Sequence, residues 1–573
     1  MTGDRAGTGG TARSVLLDAS AMTRCRRRVH LDHDPSAVHA ERALPDPASE
    51  QRRADAEQHR TQVGAVLAGA SGAAWHEVGE GGDAGDGTLA RRAERTAELV
   101  AAGAPLIWGA VLPADRTAGR RGSADLLVRT GGGYVPLLVV RRRITDSGEG
   151  ARTTAVTDPW PQRARTDPDR KVRSQPRDLI ALAQLTRMLE TAGWAPPTSP
   201  ARPHARVGGV IGLDADVVVW HDLEAGHWPG GRSTLAEYDA RFADRRAVAE
   251  AAAAGRPALA QPSRITECRR CPWWPTCERV LEEADDVSLV AHGETGRLLR
   301  GAGVGTVAAL ARLDPAGPPA ELPVPLPGTP FADLVALARA RRSGRTVLRR
   351  VESVPVVRAD VEVDVDMESF GEAGAYLWGA LLTYPRGCRD GDHEPGYRAF
   401  ATWHPLPTPD EGRSFGEFWT WLTAVRDAAV ASGRTFAAYC YNEQAENRWM
   451  LASAERFAGV PGVPAVEEVQ AFVAGPDWVD LFGVVSAWFL CTHGKGLKKI
   501  APASGFSWRD PDAGGENSMR WYRDAVGMDG AEPDPLQRER LLAYNADDVA
   551  ATHALREWMS SDAIREVPLA SEV

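Results

Sequence analysis

With 573 residues, 43% of them hydrophobic and 25% charged, the chain has material for three or four domains with cores of their own, which excludes wholesale disorder. No run approaches the ~18 uninterrupted apolar residues of a membrane span, and residues 1–13, expected to be disordered, lack a signal-peptide core. The expectation is a cytoplasmic protein without a membrane partner. A net charge of −10 excludes a global positive field, so any contact with nucleic acid must be local.

In chain order, the first chemical feature is Cys25, within Met22-Thr-Arg-Cys-Arg-Arg-Arg28. A helix is expected over 55–68, carrying His59. Three short strands follow at 106–112, 123–129 and 134–140, and then a helix over 178–191 that carries Gln184. Gly- and Pro-rich breaks fall at 79–87, 146–169, 195–203 and 314–330. The seven cysteines are odd in number and accompany no export signal, which argues against a disulfide framework. Three of them form a C-x2-C-x5-C array in Glu267-Cys-Arg-Arg-Cys-Pro-Trp-Trp-Pro-Thr-Cys277, with Cys268, Cys271 and Cys277 as ligand candidates and Cys25 as the fourth. Arg26, Arg27, Arg28, Arg269 and Arg270 are expected to favour thiolates there. Four sulfur ligands suit a structural zinc ion or a [4Fe–4S] cluster, and spacing alone does not separate the two.

One cysteine near the N-terminus and three near the end of a helix–strand–helix region resemble the iron–sulfur RecB-family nucleases, in which a [4Fe–4S] cluster staples the two ends of a PD-(D/E)XK domain. The resemblance implies a metal-binding role for Asp125 of Gly122-Ser-Ala-Asp125, the family's helical Gln at Gln184 and its early His at His59. Where an E-x-K signature should close the strand, the chain has Val139-Val140-Arg141. One Asp without a Glu partner holds cations poorly, and Arg cannot readily release a proton. This site reads as degraded, and DNA binding without cutting remains as its role; the alternative is that Asp125 merely begins a turn.

A short helical unit spans about 285–313. Its Leu298-Leu-Arg-Gly-Ala-Gly-Val-Gly-Thr-Val-Ala-Ala-Leu310 has the G-x-G-x-G pattern of a helix–hairpin–helix. There Gly301, Gly303, Gly305 and Thr306 would offer backbone N–H groups to a phosphate. The competing reading is a plain helical connector. The Pro-rich stretch that follows reads as the linker between domains.

The second half carries the strongest pattern. In Ala359-Asp-Val-Glu-Val-Asp-Val-Asp-Met-Glu368, period two puts Asp360, Glu362, Asp364, Asp366 and Glu368 on one face of a strand. Repulsion along that face would be relieved by a bound divalent cation. Strands at 375–383 and 397–403, a helix near 415–431, a strand at 435–441 and a helix at 443–457 complete the order of an RNase H fold. A last helix is expected over 536–558.

Asp366-Met-Glu368, Tyr441-Asn-Glu-Gln-Ala-Glu446 and Tyr544-Asn-Ala-Asp-Asp548 resemble, in order, the three motifs of DEDD exonucleases, with Glu446 where Asp is usual. The resemblance implies that Asp366, Glu368, Glu446 and Asp548 hold two Mg²⁺ or Mn²⁺ ions ~4 Å apart and that Tyr544 orients the attacking water. His493-Gly-Lys-Gly-Leu-Lys-Lys-Ile500 holds three of the four lysines in a chain that otherwise uses arginine. Lys495, Lys498 and Lys499 are therefore expected at a nucleic-acid phosphate; the bland alternative is exposed charge at a helix terminus.

The whole arrangement resembles bacterial RecB-family nucleases that join an iron–sulfur RecB-like domain (14–284), a helix–hairpin–helix (285–313), a Pro-rich linker with a connecting helix (314–355) and a YprB-like RNase H domain (356–573). It implies an α/β multidomain fold and a metal-dependent 3′–5′ exonuclease acting on DNA. A helicase or other repair proteins are its implied partners. A non-catalytic adaptor and an RNA-directed enzyme are the competing functions.

Overall fold

The computed structural model describes residues 15–38, 41–44, 47–79, 86–198, 206–512 and 514–573, so the expectation for residues 1–13 lies outside the described residues. The chain divides into two compact units, one formed by 1–262 with 266–280 and the other by 263–265 with 281–573. No helix among the described residues is long and apolar enough to cross a membrane.

The first unit opens with helices α1 (Arg26–His33) and α2 (Pro47–Ser71), strand β1 (Trp75–Glu77) and helix α3 (Asp86–Ala101). Strands β2 (Leu106–Trp108), β3 (Leu126–Thr130) and β4 (Gly133–Val139) then form an antiparallel meander. The β3–β4 turn is Gly131-Gly132, both at positive φ, as a two-residue hairpin demands. A small excursion follows: β5 (Thr145–Ser147), β6 (Arg152–Ala155), β7 (Arg165–Thr166) and β8 (Arg170–Val172). Helix α4 (Pro176–Thr191), with Pro at its first position, leads to β9 (Val207–Ile211), which lies parallel to β4. Strand β10 (Val217–Asp222) and helix α5 (Thr234–Ala253) follow. The main sheet runs β1-β2-β3-β4-β9-β10-β6-β7. Of the expected elements, the helix at 55–68 lies within the longer α2, the strand at 106–112 ends four residues early, that at 123–129 begins three residues late, and that at 134–140 is shifted by one.

The boundary between the units falls at Leu281, within helix α6 (Trp274–Glu283), and not in the Pro-rich stretch. Helices α7 (Glu294–Gly301), α8 (Val307–Ala311) and α9 (Phe331–Arg342) therefore belong to the second unit. The Pro-rich segment packs there: Leu322 is buried, and Thr295 donates to the Pro327 carbonyl at 2.8 Å. Arg339 on α9 also holds the Ala311 and Leu313 carbonyls at 2.8 and 2.9 Å.

Beyond β11 (Val347–Arg349) comes a five-stranded sheet. Its strands are β12 (Val361–Ser369), β13 (Ala375–Thr383), β14 (Gly396–Ala401), β15 (Phe436–Cys440) and β16 (Trp478–Asp480), in the order β14-β13-β12-β15-β16. Strand β13 runs antiparallel to both β12 and β14, while β15 runs parallel to β12 and β16 to β15. Helices α10 (Asp410–Ala431), α11 (Gln444–Arg456) and α12 (Val466–Val473) connect them. On β12, Val361, Val363, Val365 and Met367 pack into one core with Trp378, Phe415, Phe418 and Leu422. Strand β15 is buried throughout, as a parallel strand covered on both faces requires. Helix α13 (Leu481–Trp488), strand β17 (Phe489–Cys491, paired with β11), and helices α14 (Leu497–Ile500), α15 (Gly515–Val526) and α16 (Pro535–Ser560) complete the chain.

Candidate metal centre

The charged face of β12 meets helix α16. Alternation on β12 presents Asp366 and Glu368 on one side, and the four-residue spacing on α16 presents Tyr544 and Asp548 one above the other. Carboxylate oxygens of Asp366, Glu368 and Asp548 all lie within 4.8 Å of one another. Glu446, in the first turn of α11 just past β15, is buried; one of its oxygens, Oε2, has no hydrogen-bond partner. It lies outside the close trio, yet its charge acts on Asp366. Three converging carboxylates and an orphaned carboxylate oxygen make a donor set that fits hard divalent ions.

Other side chains hold this set in place. Asn545 donates to Asp366 at 2.8 Å and accepts from the Tyr397 hydroxyl at 2.7 Å. Ser518 donates to Glu368 at 3.0 Å, and the Trp508 indole N–H donates to Asp548 at 2.6 Å. Lys498 donates to the Tyr544 hydroxyl at 2.7 Å and lies 3.7 Å from the Asp548 carboxylate. Asn545 has room only because residue 379, opposite Asp366 on β13, is glycine: a Cβ there would stand 1.6 Å from its Oδ1. Gly379→Ala is therefore expected to swing Asn545 away and to weaken Mn²⁺ binding by about 10- to 100-fold, the usual cost of losing a group that holds a metal ligand in place. Metal titration measured beside urea unfolding checks this, because overpacking alone costs only about 1–3 kcal/mol.

The cluster is electrostatically strained without a cation. Burial, then the neighbouring Asp548, Glu368 and Glu446, drives the Asp366 carboxyl well above the carboxylate range. Burial and Asp548 push Glu368 up to about 8, and burial with Asp480 and Glu368 pushes Glu446 up to about 8. Asp548 is also raised by burial, against the opposing pull of Lys498 and the Trp508 hydrogen bond.

The remaining acids of β12 do not join this site. Glu362 and Asp364 are fully buried against Arg556 of α16, which donates to both; the Asp364 contact is 2.7 Å. Arg358 adds a second cation on Glu362 at 2.8 Å, and His553 approaches Asp364 at 3.2 Å. Asp360 pairs with Arg386 at 2.8 Å and accepts from Thr435. Repulsion along the strand is thus relieved by arginine at Glu362 and Asp364, so the expectation of one cation-bound row is corrected. Only Asp366 and Glu368 face the cluster.

The lysines separate as well. Lys495 donates to the Ser486 carbonyl at 3.1 Å and braces its own loop, Lys498 reaches the carboxylates, and Lys499 is exposed. In the helical unit, Gly303 takes a positive φ of 79° between α7 and α8, and Thr306 caps α8 through Ala309 N–H at 3.0 Å. The Val307 and Ala308 N–H groups are held by the Asp285 carbonyl and carboxylate at 2.7 and 2.8 Å. The donors at this helix start, which the Gly301–Gly303–Gly305 pattern would have offered to a phosphate, are therefore already paired. An anionic Asp285 stands beside them.

In the first unit, Asp125 accepts from Arg60 at 2.5 Å and from Val139 N–H at 2.7 Å, so a guanidinium stands where a cation would. Arg141 pairs with Asp55 at 3.3 Å, and His59 lies 3.1 Å from the Gly212 carbonyl with its basicity lowered by burial. Gln184 is fully buried and donates to the Leu17 and Arg121 carbonyls at 3.0 and 2.7 Å. It fastens the N-terminal segment and the loop before β3 to α4.

Cys25, Cys268, Cys271 and Cys277 form no disulfide, and Cys277 feels the charges of the other three. Burial pushes the Cys277 thiol up to about 12 and raises Cys271, while Arg27 pulls the first and Arg28 the second back toward the thiolate. Around them the two ends of the unit are tied directly: Cys25 N–H donates to Glu267 at 2.7 Å and the Trp273 indole to Asp32 at 2.8 Å. Thiols are the donors a thiophilic metal group takes, although among the described residues only the carboxylate trio brings its ligand atoms within 4.8 Å of one another. Elsewhere, Cys440 is buried, Cys491 is half-buried and Cys388 is exposed.

Sequence reasoning missed Asn545, Trp508, Ser518, Tyr397 and Gly379. Asn545 lies inside the third motif and its place one residue after Tyr544 was a usable signal; the others carry none. A search of curated proteins and a search of solved structures each returned no match. A family model described as RNase H superfamily matches residues 465–560, the stretch from α12 to the end of α16 that carries Lys498, Tyr544 and Asp548. Together with the strand order of the sheet, that match gives the second unit an RNase H-like domain.

Proposed function

We propose that the chain is a metal-dependent nuclease, a 3′–5′ exonuclease acting on DNA, with the cut made at the carboxylates of the RNase H-like domain. The observation that carries this reading is the convergence of Asp366, Glu368 and Asp548 within 4.8 Å, with Tyr544 one helical turn from Asp548. Asp366, Glu368, Asp548 and the nearby Glu446 would hold Mg²⁺ or Mn²⁺. Such ions, when bound, polarise the attacking water and neutralise charge developing on the leaving 3′ oxygen.

The chain's own groups set the rest. Asn545 and Ser518 aim the Asp366 and Glu368 carboxylates. The Tyr544 hydroxyl accepts from Lys498 and donates to Asp548, which fixes its oxygen beside the carboxylates, where an incoming water would meet it. Asp366 is only partly buried while Glu368 and Asp548 are buried, and in this reading the strand enters on its side.

The first unit has the helix, three-strand meander, helix and parallel strand order of a PD-(D/E)XK nuclease, and its role in this reading is to grip DNA. Its four cysteines would hold a [4Fe–4S] cluster, which ties together the segments around Cys25 and Cys277. A protein purified without oxygen is expected to be brown and to carry iron; a colourless protein with zinc overturns that assignment.

The activity is tested on matched DNA and RNA strands labelled at the 5′ end, with Mg²⁺ or Mn²⁺ and with chelator. Stepwise shortening from the 3′ end of DNA, abolished by chelator, is the expected result. Shortening of RNA alone would make the enzyme RNA-directed, and intact strands with both metals would favour an adaptor.

A further inference from the structure

Beside the carboxylates lies a cleft of about 310 Å³, lined by His493, Gly494, Lys498, Lys499, Thr346 and Cys491 among others, with no aspartate or glutamate in its wall. Resting on the nuclease reading above, we propose that this cleft binds a backbone phosphodiester of the substrate strand, next to the linkage that is cut.

Three observations point the same way. First, Lys498 belongs to both places: its ammonium touches the Tyr544 hydroxyl and approaches Asp548, and it also forms part of the cleft wall. A strand with one linkage at the carboxylates therefore has a neighbouring linkage within reach of the cleft. Second, the charge is one-sided. Lys499 is exposed, among the described residues no carboxylate pairs with it, and His493 stands beside it. A concave basic wall adjoining an acidic cluster attracts a polyanion without pulling it onto the acids. Third, the shape suits a backbone. Gly494 takes a positive φ of 92°, a conformation that lets the loop curve around the cleft without a side chain in the way. The volume is at the small end of ligand sites, room for a phosphate with its sugar.

Of the three lysines in this loop, only Lys498 and Lys499 line the cleft, since Lys495 is held by Ser486. In a chain with 67 cationic residues and four lysines, two compact ammonium groups here suit a phosphate better than the planar arginine fork suits it. The contact reads no base, so it serves an enzyme that moves along any sequence.

The test uses the full chain with Mg²⁺ and a 5′-fluorescein single-stranded DNA. Lys499→Gln is exposed and is expected to fold normally. It should raise KM several-fold with kcat nearly unchanged, and lower the slope of log affinity against log salt by about 0.7, the share of one single-strand phosphate. Lys499→Arg should recover most of the affinity. A companion series replaces one linkage at a time by an uncharged methylphosphonate. At the linkage that occupies the cleft, wild type and Lys499→Gln should become indistinguishable.

Equal KM and salt slope for wild type and Lys499→Gln on a strand that wild type degrades would overturn this inference alone. So would a difference that persists at every neutral linkage. A wild-type chain that degrades no strand overturns the nuclease reading, and this inference with it.

Discussion

Asp366→Asn is expected to lower metal-dependent cleavage by about a thousand-fold or more, the rate equivalent of losing roughly 4 kcal/mol of charge stabilisation, and at the same time to make the metal-free protein more stable. Asp366 is the carboxylate on which Asp548, Glu368 and Glu446 all act. The amide keeps the shape and can still accept from Asn545 while removing one of the like charges. Gain of stability with loss of function is the signature of a site held together against its own repulsion.

The same repulsion fixes the pH dependence. Glu368 and Glu446 are pushed up to about 8, so the folded metal-free chain keeps protons that the unfolded chain releases near pH ~4.5. Between those limits the folded state binds more protons, and stability falls as pH rises. Thermal melts in chelator should therefore decline from about pH 5 to pH 8, and added Mg²⁺ or Mn²⁺ should raise the melting temperature most at the upper end. In Asp366→Asn both slopes should flatten. Melts that are flat with pH in the wild-type chain would contradict the arrangement of charges described above.

Arg556→Leu is expected to cost about 3–5 kcal/mol, enough to unfold much of the domain, because it strands Glu362 and Asp364 as buried charges with too few partners. The guanidinium is itself fully buried and lies over the Tyr439 ring, with its centre 4.3 Å from the ring centroid. It sits two turns along α16 from Asp548 and grips β12 two and four residues before Asp366. In effect it sets the register in which helix and strand bring their carboxylates together. Urea unfolding measures the loss. A triple variant with Glu362→Gln and Asp364→Asn should recover part of it, since it removes the uncompensated charges.

Much of this domain was legible because its signals are local. The valine–acid alternation marks β12 within a residue or two of its observed limits, Val361–Ser369. The Y-x3-D spacing puts Tyr544 and Asp548 on one helical face whatever surrounds them. Partners that depend on distant chain segments were not legible. Arg556 is one arginine among many, about 190 residues from the acids it pairs with, and nothing in local spacing singles it out. Gly379 matters only because Asn545 needs its missing side chain. In the stretch 314–330, proline and glycine runs report the absence of regular structure, not the absence of packing, and the segment is held by Thr295 and by the burial of Leu322. In the first unit the order of elements was visible in apolar periodicity, while the Arg60–Asp125 pair depended on side chains 65 residues apart.

The central claim is that Asp366, Glu368 and Asp548 share a divalent cation. A crystal structure of the full chain grown with Mn²⁺, read by the metal's anomalous scattering, tests it most directly. The account predicts a manganese peak within about 2.0–2.3 Å of an oxygen from each of the three carboxylates, the distance hard dications take to such ligands. Manganese bound elsewhere with these three side chains turned away from it, or no peak at saturating metal, would contradict it.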